Sequence, residues 1–211
     1  MTRTPTLTRT STLTRTPVPT RTPRPPATPT PLPCIAYSDV GPNQYFFAAV
    51  NWLTCQGIVS GYEDNTFRPA NTATRAQIVK MVVLAHEWAP YEPGRPTFSD
   101  VQPGDWSYGY IEAGVLHGII GGYADGTFRP NDPVTRGQLC KLLVLARQWP
   151  LQLPSEAHFS DVPPGSPFFT YVEVAHARGV ISGYGDGTFR PSNNATRGQL
   201  AKMLYVALTQ P

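Results

Sequence analysis

Three arginines at predicted helix starts are the residues of this chain with the clearest potential for chemistry. They recur 61 residues apart, each between a threonine and a small residue, and we call them the helix-start arginines: Arg75, Arg136 and Arg197. The first N–H groups of a helix lack partners within the helix and form the positive end of its dipole. An arginine there creates a compact anion site, and its planar fork suits a carboxylate. The pattern predicts up to three sites for an acidic ligand.

A structural role also accounts for these residues. Threonine followed three positions later by glutamine, ahead of an apolar run, is the capping-box pattern. It explains the glutamines that follow the arginines, which we call the helix-start glutamines: Gln77, Gln138 and Gln199. The arginines could likewise pair with a nearby aspartate. Spacing alone leaves both interpretations open.

The whole chain after residue 33 follows the same 61-residue period. In the second copy, the spacing of Tyr108, Ile111 and Val115 predicts a first helix that stops at Gly118. A short β-branched run and a tight turn follow, and the capping box at Thr135 begins a second helix. Each copy is therefore predicted as helix, short extended turn, helix, with approximate copy boundaries at 34–94, 95–155 and 156–211.

Three motifs in fixed order resemble those of the surface-layer homology (SLH) domain. They read YSDV, FSDV and FSDV; GYEDNTFRP, GYADGTFRP and GYGDGTFRP; and TRAQ, TRGQ and TRGQ. The resemblance covers residues 35–209. It implies a mainly α fold, in which three helix-turn-helix repeats have a pseudo-threefold arrangement around a central bundle of the first helices. It also implies grooves between repeats that bind anionic, often pyruvylated, secondary cell-wall polysaccharide without a covalent bond.

The resemblance assigns residues to that function. It places the helix-start arginines at the family's ligand-contacting position, and it places three glycines where backbone approaches the glycan. We call them the loop glycines: Gly61, Gly122 and Gly183. The family's usual glutamate after Thr-Arg-Ala is here a helix-start glutamine in all copies. Because this change removes a negative charge beside the arginine, we expect a site more favourable to anions.

Other candidate residues are weaker. Trp88 and Trp149 align in the linkers between repeats, and they could stack on a sugar ring or seal the helix end. The only lysines of the chain, which we call the repeat lysines, lie five residues after the arginines, on the opposite side of the helix, so we expect them to be solvated. They are Lys80, Lys141 and Lys202.

The sequence points away from metals, cofactors and catalysis. One aspartate in each turn, at Asp64, Asp125 and Asp186, is too little for a calcium site and is explained by turn formation. The four histidines align with nothing in the neighbouring copies. No nucleophile, base and orienting group recur together, so we expect a protein that is not an enzyme and needs no cofactor.

Residues 1–33 differ in composition from the rest, with twelve Thr, nine Pro, five Arg and no acid. We interpret them as a disordered, semi-rigid linker or stalk. The remainder, 34–211, has 12 basic and 14 acidic residues, which argues against nucleic-acid binding. No apolar run is long enough for a membrane span, and no signal peptide follows Met1. The chain is then either a cytosolic product or a fragment of a larger exported protein, and the mucin-like composition favours the second. The resemblance implies a location at the cell wall or S-layer.

Cysteines offer one further hypothesis. Cys34 and Cys55 are close in sequence, and an exported protein would oxidise them, so we predict a disulfide. Cys140 is expected to be a small core residue.

Two functions follow. The leading one is a monomeric anchor that binds anionic cell-wall polysaccharide. The alternative is a protein-interaction or lattice-forming surface module, with other surface-layer proteins as partners.

Overall fold

The computed structural model describes residues 34, 36–151, 154 and 156–210, within the compact unit Pro33–Pro211. The predicted stalk at 1–33 lies outside these residues. The described part is mainly α, as predicted, with six helices and no strand. The helices are α1 Phe47–Cys55, α2 Arg75–Ala85, α3 Tyr108–Leu116, α4 Arg136–Ala146, α5 Phe169–Ala177 and α6 Arg197–Thr209. None of the described helices is long and apolar enough to cross a membrane.

Local sequence signals set the helix ends. All three capping boxes are present: in α2 the Thr74 side chain accepts from the Gln77 amide, and the Gln77 side chain accepts from the Thr74 amide. α3 ends just before Gly118, which has a φ of 67°. Glycine takes this left-handed conformation at little cost, so the predicted stop is confirmed.

Helices pack between repeats rather than within them. The second helix of each repeat contacts the first helix of the next: α2 packs on α3, α4 on α5, and α6 returns to α1. The second helices α2, α4 and α6 also contact one another, whereas no contacts join α1, α3 and α5 in the described part. The expectation that the first helices form the central bundle is therefore wrong. The second helices are the ones that contact one another, and each packs more extensively on the first helix of the next repeat.

Equivalent backbone groups link the three repeats in a closed cycle. The Ala73 amide donates to the Ala195 carbonyl at 2.9 Å, the Ala195 amide to the Val134 carbonyl at 2.8 Å, and the Val134 amide to the Ala73 carbonyl at 2.9 Å. All three residues are buried, with at most 2% of their surface exposed. Because a buried amide needs a partner, each repeat completes the hydrogen bonding of another.

The second position of each second helix is matched in size to the next repeat. A Cβ on Gly137 would lie 2.7 Å from the Phe168 ring, and a Cβ on Gly198 would lie 2.8 Å from the Phe46 ring. The first repeat has Ala76 at this position, and the following repeat has Ser107 where the others have phenylalanine. Alanine therefore replaces glycine at this helix position only where the facing residue is serine and not phenylalanine.

Two cysteines are joined and one is buried. Cys34 and Cys55 form a disulfide with their Cα atoms 5.3 Å apart, which ties residue 34 to the end of α1. Cys140 is fully buried in α4, and burial raises the pKa of its thiol to about 12. It is a core residue, as expected.

Candidate functional site

Three cavities lie between neighbouring repeats, and each is named here after its helix-start arginine. Their volumes are about 360 Å³ for the Arg75 groove, 520 Å³ for the Arg136 groove and 180 Å³ for the Arg197 groove. Each groove is lined by the arginine of one repeat and by a loop glycine, helix-start glutamine and repeat lysine of the next. In the Arg197 groove the latter three are Gly61, Gln77 and Lys80. Every site therefore requires two repeats.

The arginine in each groove is fastened to the neighbouring repeat. Arg197 donates from Nε to the Phe67 carbonyl at 2.8 Å and from Nη2 to the Ser60 carbonyl at 3.3 Å. Its guanidinium also lies 4.5 Å from the Phe67 ring centroid and 5.2 Å from that of Tyr62. Arg75 makes the corresponding bonds to Phe128 and Gly121, at 2.8 and 3.2 Å. Arg136 donates from Nε to Phe189 at 2.9 Å.

These bonds hold the charge in place without cancelling it. Within the described residues, no carboxylate lies within 4.0 Å of a helix-start arginine. Their acceptors are neutral carbonyl oxygens, and two of the five N–H groups of Arg75 and of Arg197 are used. Burial lowers the pKa of Arg75 and of Arg197, because charge is costly in a low-dielectric site. Each groove thus contains a positioned cation that an acidic ligand could neutralise.

The backbone amides at the helix starts are not available to a ligand. The Arg197 amide donates to the Asn71 carbonyl at 2.8 Å, and the Gly198 amide donates to the Pro69 carbonyl at 2.9 Å. The capping box occupies the amides of Thr196 and Gln199. The same pattern holds at α2 and α4. The hypothesis that these amides form the anion site is wrong, because the loop of the next repeat has already paired them.

The repeat lysines are groove residues, contrary to the expectation that they are merely solvated. Lys80 does face away from Arg75 of its own helix, but that side of α2 is a wall of the Arg197 groove. Its Nζ lies 5.6 Å from the Trp106 ring centroid and 5.4 Å from that of Tyr110. Lys141 and Lys202 line the Arg75 and Arg136 grooves. Each groove therefore combines two cations from different repeats.

The helix-start glutamines also line the groove of a different arginine. Gln77 lies with Arg197, Gln138 with Arg75 and Gln199 with Arg136. Their Oε1 atoms accept the cap amide, at 3.0 to 3.2 Å. A glutamate could accept that bond equally well but would bring a negative charge into the groove.

The loop glycines allow a close approach of chain segments. A Cβ on Gly61 would lie 2.3 Å from Tyr37 Cε1 and 2.6 Å from the Thr66 carbonyl oxygen. Gly122 and Gly183 meet Phe98 and Phe159 in the same way. The structure thus explains these glycines by packing and also places them on the groove walls.

The aspartate that opens each repeat fixes the Phe-Arg-Pro loop. Asp39 accepts from the amides of Phe67 and Arg68, both at 2.7 Å. Arg68 has a φ of 56°, a rare conformation for an arginine, and these bonds help to hold it. The other two repeats make the same contacts through Asp100 and Asp161.

The turn aspartates complete that loop. Asp125 accepts from the Thr127 hydroxyl at 2.6 Å and from Arg129 Nη2 at 2.8 Å, and Asp186 is bonded in the same way. The threonine hydrogen bond, followed by the arginine, lowers the pKa of Asp125 and of Asp186 to about 2. Turn formation therefore explains these carboxylates, and no metal-binding cluster of acids, histidines or cysteines occurs in the described ranges.

The aligned tryptophans lie outside the grooves. Trp149 exposes only 7% of its surface, with Arg178 5.2 Å from its ring centroid. Trp88 stacks on His117, with ring centroids 3.7 Å apart. Packing explains both residues, and burial leaves Trp149 no face for a sugar ring. The exposed aromatics in the grooves are instead Tyr123, from the repeated Gly-Tyr motif, and two residues that sequence reasoning missed, Trp106 and Tyr45. Their shared position, two residues before a first helix, was the available signal.

Comparison with known proteins places these repeats in a family. The family model of the S-layer homology domain matches residues 36–79, 97–140 and 158–201. An endoglucanase of Bacillus sp. (strain KSM-635) is 31% identical over 177 residues, 82% of this chain and 18% of that protein. The surface-layer 125 kDa protein of Lysinibacillus sphaericus is 33% identical over 143 residues, 66% of this chain and 12% of that protein.

A cellulosome-anchoring protein of Acetivibrio thermocellus is 28% identical over 151 residues, 70% of this chain. The chain spans 33% of that protein's length and less of the other two relatives. A name such as endoglucanase thus describes a protein of which most lies outside the match. Because the family model matches more than half of the sequence in three successive copies, this chain belongs to the S-layer homology domain family.

Proposed function

We propose that this chain anchors a protein to the cell envelope by binding an anionic cell-wall polysaccharide in its three inter-repeat grooves. The observation that carries the proposal is the paired cations of each groove, a helix-start arginine and a repeat lysine from different repeats. The arginine has no carboxylate partner in the described residues. A carboxylate on the polymer, from a pyruvate ketal or a uronic acid, would supply that partner.

The cyclic contacts support a pseudo-threefold arrangement of the repeats. The helix packing and the ring of hydrogen bonds through Ala73 both return from the third repeat to the first. Three similar grooves on one domain can hold a single polymer chain together, because binding at one groove raises the effective concentration at the others. Weak individual grooves would then suffice for firm attachment at an exported, cell-surface location, with residues 1–33 as the stalk.

Relatives favour the same function. One is named as a surface-layer protein and another as a cellulosome-anchoring protein. A similar segment is also present in a protein with a different name, the endoglucanase. We therefore infer a binding module and not a catalytic one, acting as a monomer.

The test is co-sedimentation of the full chain with cell-wall sacculi of the producing organism. Sacculi are compared before and after acid extraction of their secondary polymers. The informative variant carries Lys80→Gln, Lys141→Gln and Lys202→Gln, because the lysines line the grooves without the structural hydrogen bonds of the arginines. The matched control replaces the same lysines by arginine, which keeps the charge.

We expect binding to be lost on extraction and in the glutamine variant, and to persist in the arginine control. Binding that survives extraction would contradict the proposal and favour the alternative, a module that packs on other surface-layer proteins. Equal binding by the glutamine variant would remove the grooves from the mechanism.

A further inference from the structure

The three grooves differ at one wall, which is formed by a residue outside the repeated motifs. This residue lies two positions before the first helix of a neighbouring repeat. It is Trp106 in the Arg197 groove, Tyr45 in the Arg136 groove and Pro167 in the Arg75 groove. The ionic groups of the grooves are repeated, but this wall is not.

Trp106 is the exposed tryptophan of the chain. It exposes 56% of its surface, whereas Trp149 exposes 7% and Trp52 and Trp88 are half-buried. An indole on a cavity wall offers a rigid, flat and mainly apolar face to a ligand. Such a face suits the C–H surface of a pyranose ring.

Charged groups adjoin this face. Lys80 Nζ lies 5.6 Å from the Trp106 ring centroid and 5.4 Å from that of Tyr110. Arg197 lines the same cavity. The equivalent Lys141 has only Tyr171 among the described aromatics within that range, at 5.5 Å. The Arg197 groove thus combines the Trp106 indole with two cations, Lys80 and Arg197, in the smallest of the three cavities.

We infer that the Arg197 groove is the specificity-determining groove, in which Trp106 stacks on a pyranose ring whose acidic substituent is held by Lys80 and Arg197. The inference rests on the proposed function and adds to it which groove selects the sugar. Pro167 offers no aromatic face at this wall of the Arg75 groove. The exposed aromatic of that groove, Tyr123, belongs to the Gly-Tyr motif that every groove repeats, so the Arg75 groove lacks the added stacking surface. Tyr45, with 61% exposure, makes the Arg136 groove intermediate.

The test uses the full chain and oligosaccharides released from sacculi of the producing organism by hydrofluoric acid. Short soluble probes separate single-groove affinity from multivalent retention on the wall. Dissociation constants come from calorimetry. Because Trp106 is exposed and the other tryptophans are not, protection of the fluorescence from acrylamide reports occupancy of this groove. The variants are Trp106→Ala, Trp106→Phe and the matched control Tyr91→Ala, which removes an exposed aromatic side chain that lines none of the three grooves.

In the wild type, we expect the oligosaccharide to protect Trp106 from quenching. In Trp106→Ala, we expect the dissociation constant of the tightest site to rise about tenfold. Trp106→Phe keeps an aromatic face and should retain most of the affinity, and Tyr91→Ala should bind like the wild type. Equal affinity of Trp106→Ala and wild type would overturn the inference while leaving the proposed function intact. A wild type that binds no oligosaccharide would overturn both. Equal thermal unfolding of all variants establishes that the fold is unchanged.

Discussion

Arg197 donates from Nε to the carbonyl oxygen of Phe67, 130 residues earlier in the chain, at 2.8 Å. One side chain therefore closes the last repeat onto the first and also places an uncompensated charge in a groove. The same group serves folding and the candidate site. Removing it changes stability as well as binding, which makes arginine variants ambiguous as tests of function.

Arg197→Ala should reduce the free energy of unfolding by about 2 kcal/mol, because charged hydrogen bonds to Phe67 and Ser60 are lost and the carbonyl of the buried Phe67 loses its partner. Arg197→Lys should recover little of this, since lysine lacks the planar fork. Urea unfolding measures both changes. The control is Arg95→Ala, at an exposed position. Equal stability of Arg197→Ala and the control would contradict a stabilising role for the Arg197 hydrogen bonds to the first repeat.

Gly137→Ala should destabilise the domain by roughly 1–3 kcal/mol, although alanine favours helix, because the added Cβ meets the Phe168 ring. Adding Phe168→Ser reproduces the smaller pair of the first repeat, Ala76 with Ser107. A double-mutant cycle should therefore show favourable coupling between the two changes. If the destabilisations of the two single variants simply add in thermal unfolding, the side-chain sizes at positions 137 and 168 are not coupled.

Reduction of the Cys34–Cys55 disulfide should cost about 3 kcal/mol, since the bond closes a loop with a sequence separation of 21. Unfolding with and without a reductant measures this, and Cys34→Ala with Cys55→Ala is the matched variant, insensitive to reductant. An identical free energy of unfolding with and without reductant would show that the disulfide does not stabilise the domain.

Acidification from pH 7.5 to 5 should destabilise the domain. Burial lowers the pKa of His86, and burial together with His158 lowers that of His176. The unfolded state then binds protons first as the pH falls through about 6.5, so stability present above that pH is lost below it. NMR titration measures the pKa values, and the His86→Gln, His176→Gln variant should show a flatter pH profile. Values at or above 6.5 would contradict this.

Restoring glutamate at all three helix-start glutamines should weaken binding of the acidic polymer without unfolding the domain. Each new carboxylate can still accept the cap amide, as Gln77 does from Thr74, but it introduces negative charge beside a groove arginine. Co-sedimentation and thermal unfolding of one variant separate these effects. Equal or tighter binding would refute the expectation.

The sequence by itself determined the local structure and the chemical character of the site. Capping boxes, helix-stopping glycines and turns depend on residues a few positions apart, so the starts at Thr74, Thr135 and Thr196 followed from pattern alone. The recurrence of arginine at one position also singled out one of the two cations that line each groove. Both depend on the order of residues along the chain, which is what a sequence records.

Only the tertiary structure decided which residues share a groove. Arg75 and Lys80 are five positions apart on one helix, so their side chains diverge by about 140°. They line different grooves, and each shares its groove with a cation from another repeat: Arg75 with Lys141, and Lys80 with Arg197. The pairing of the helix-start amides and the exposure of Trp106 likewise depend on how repeats pack, because the groups involved are brought together by the fold across distant parts of the chain.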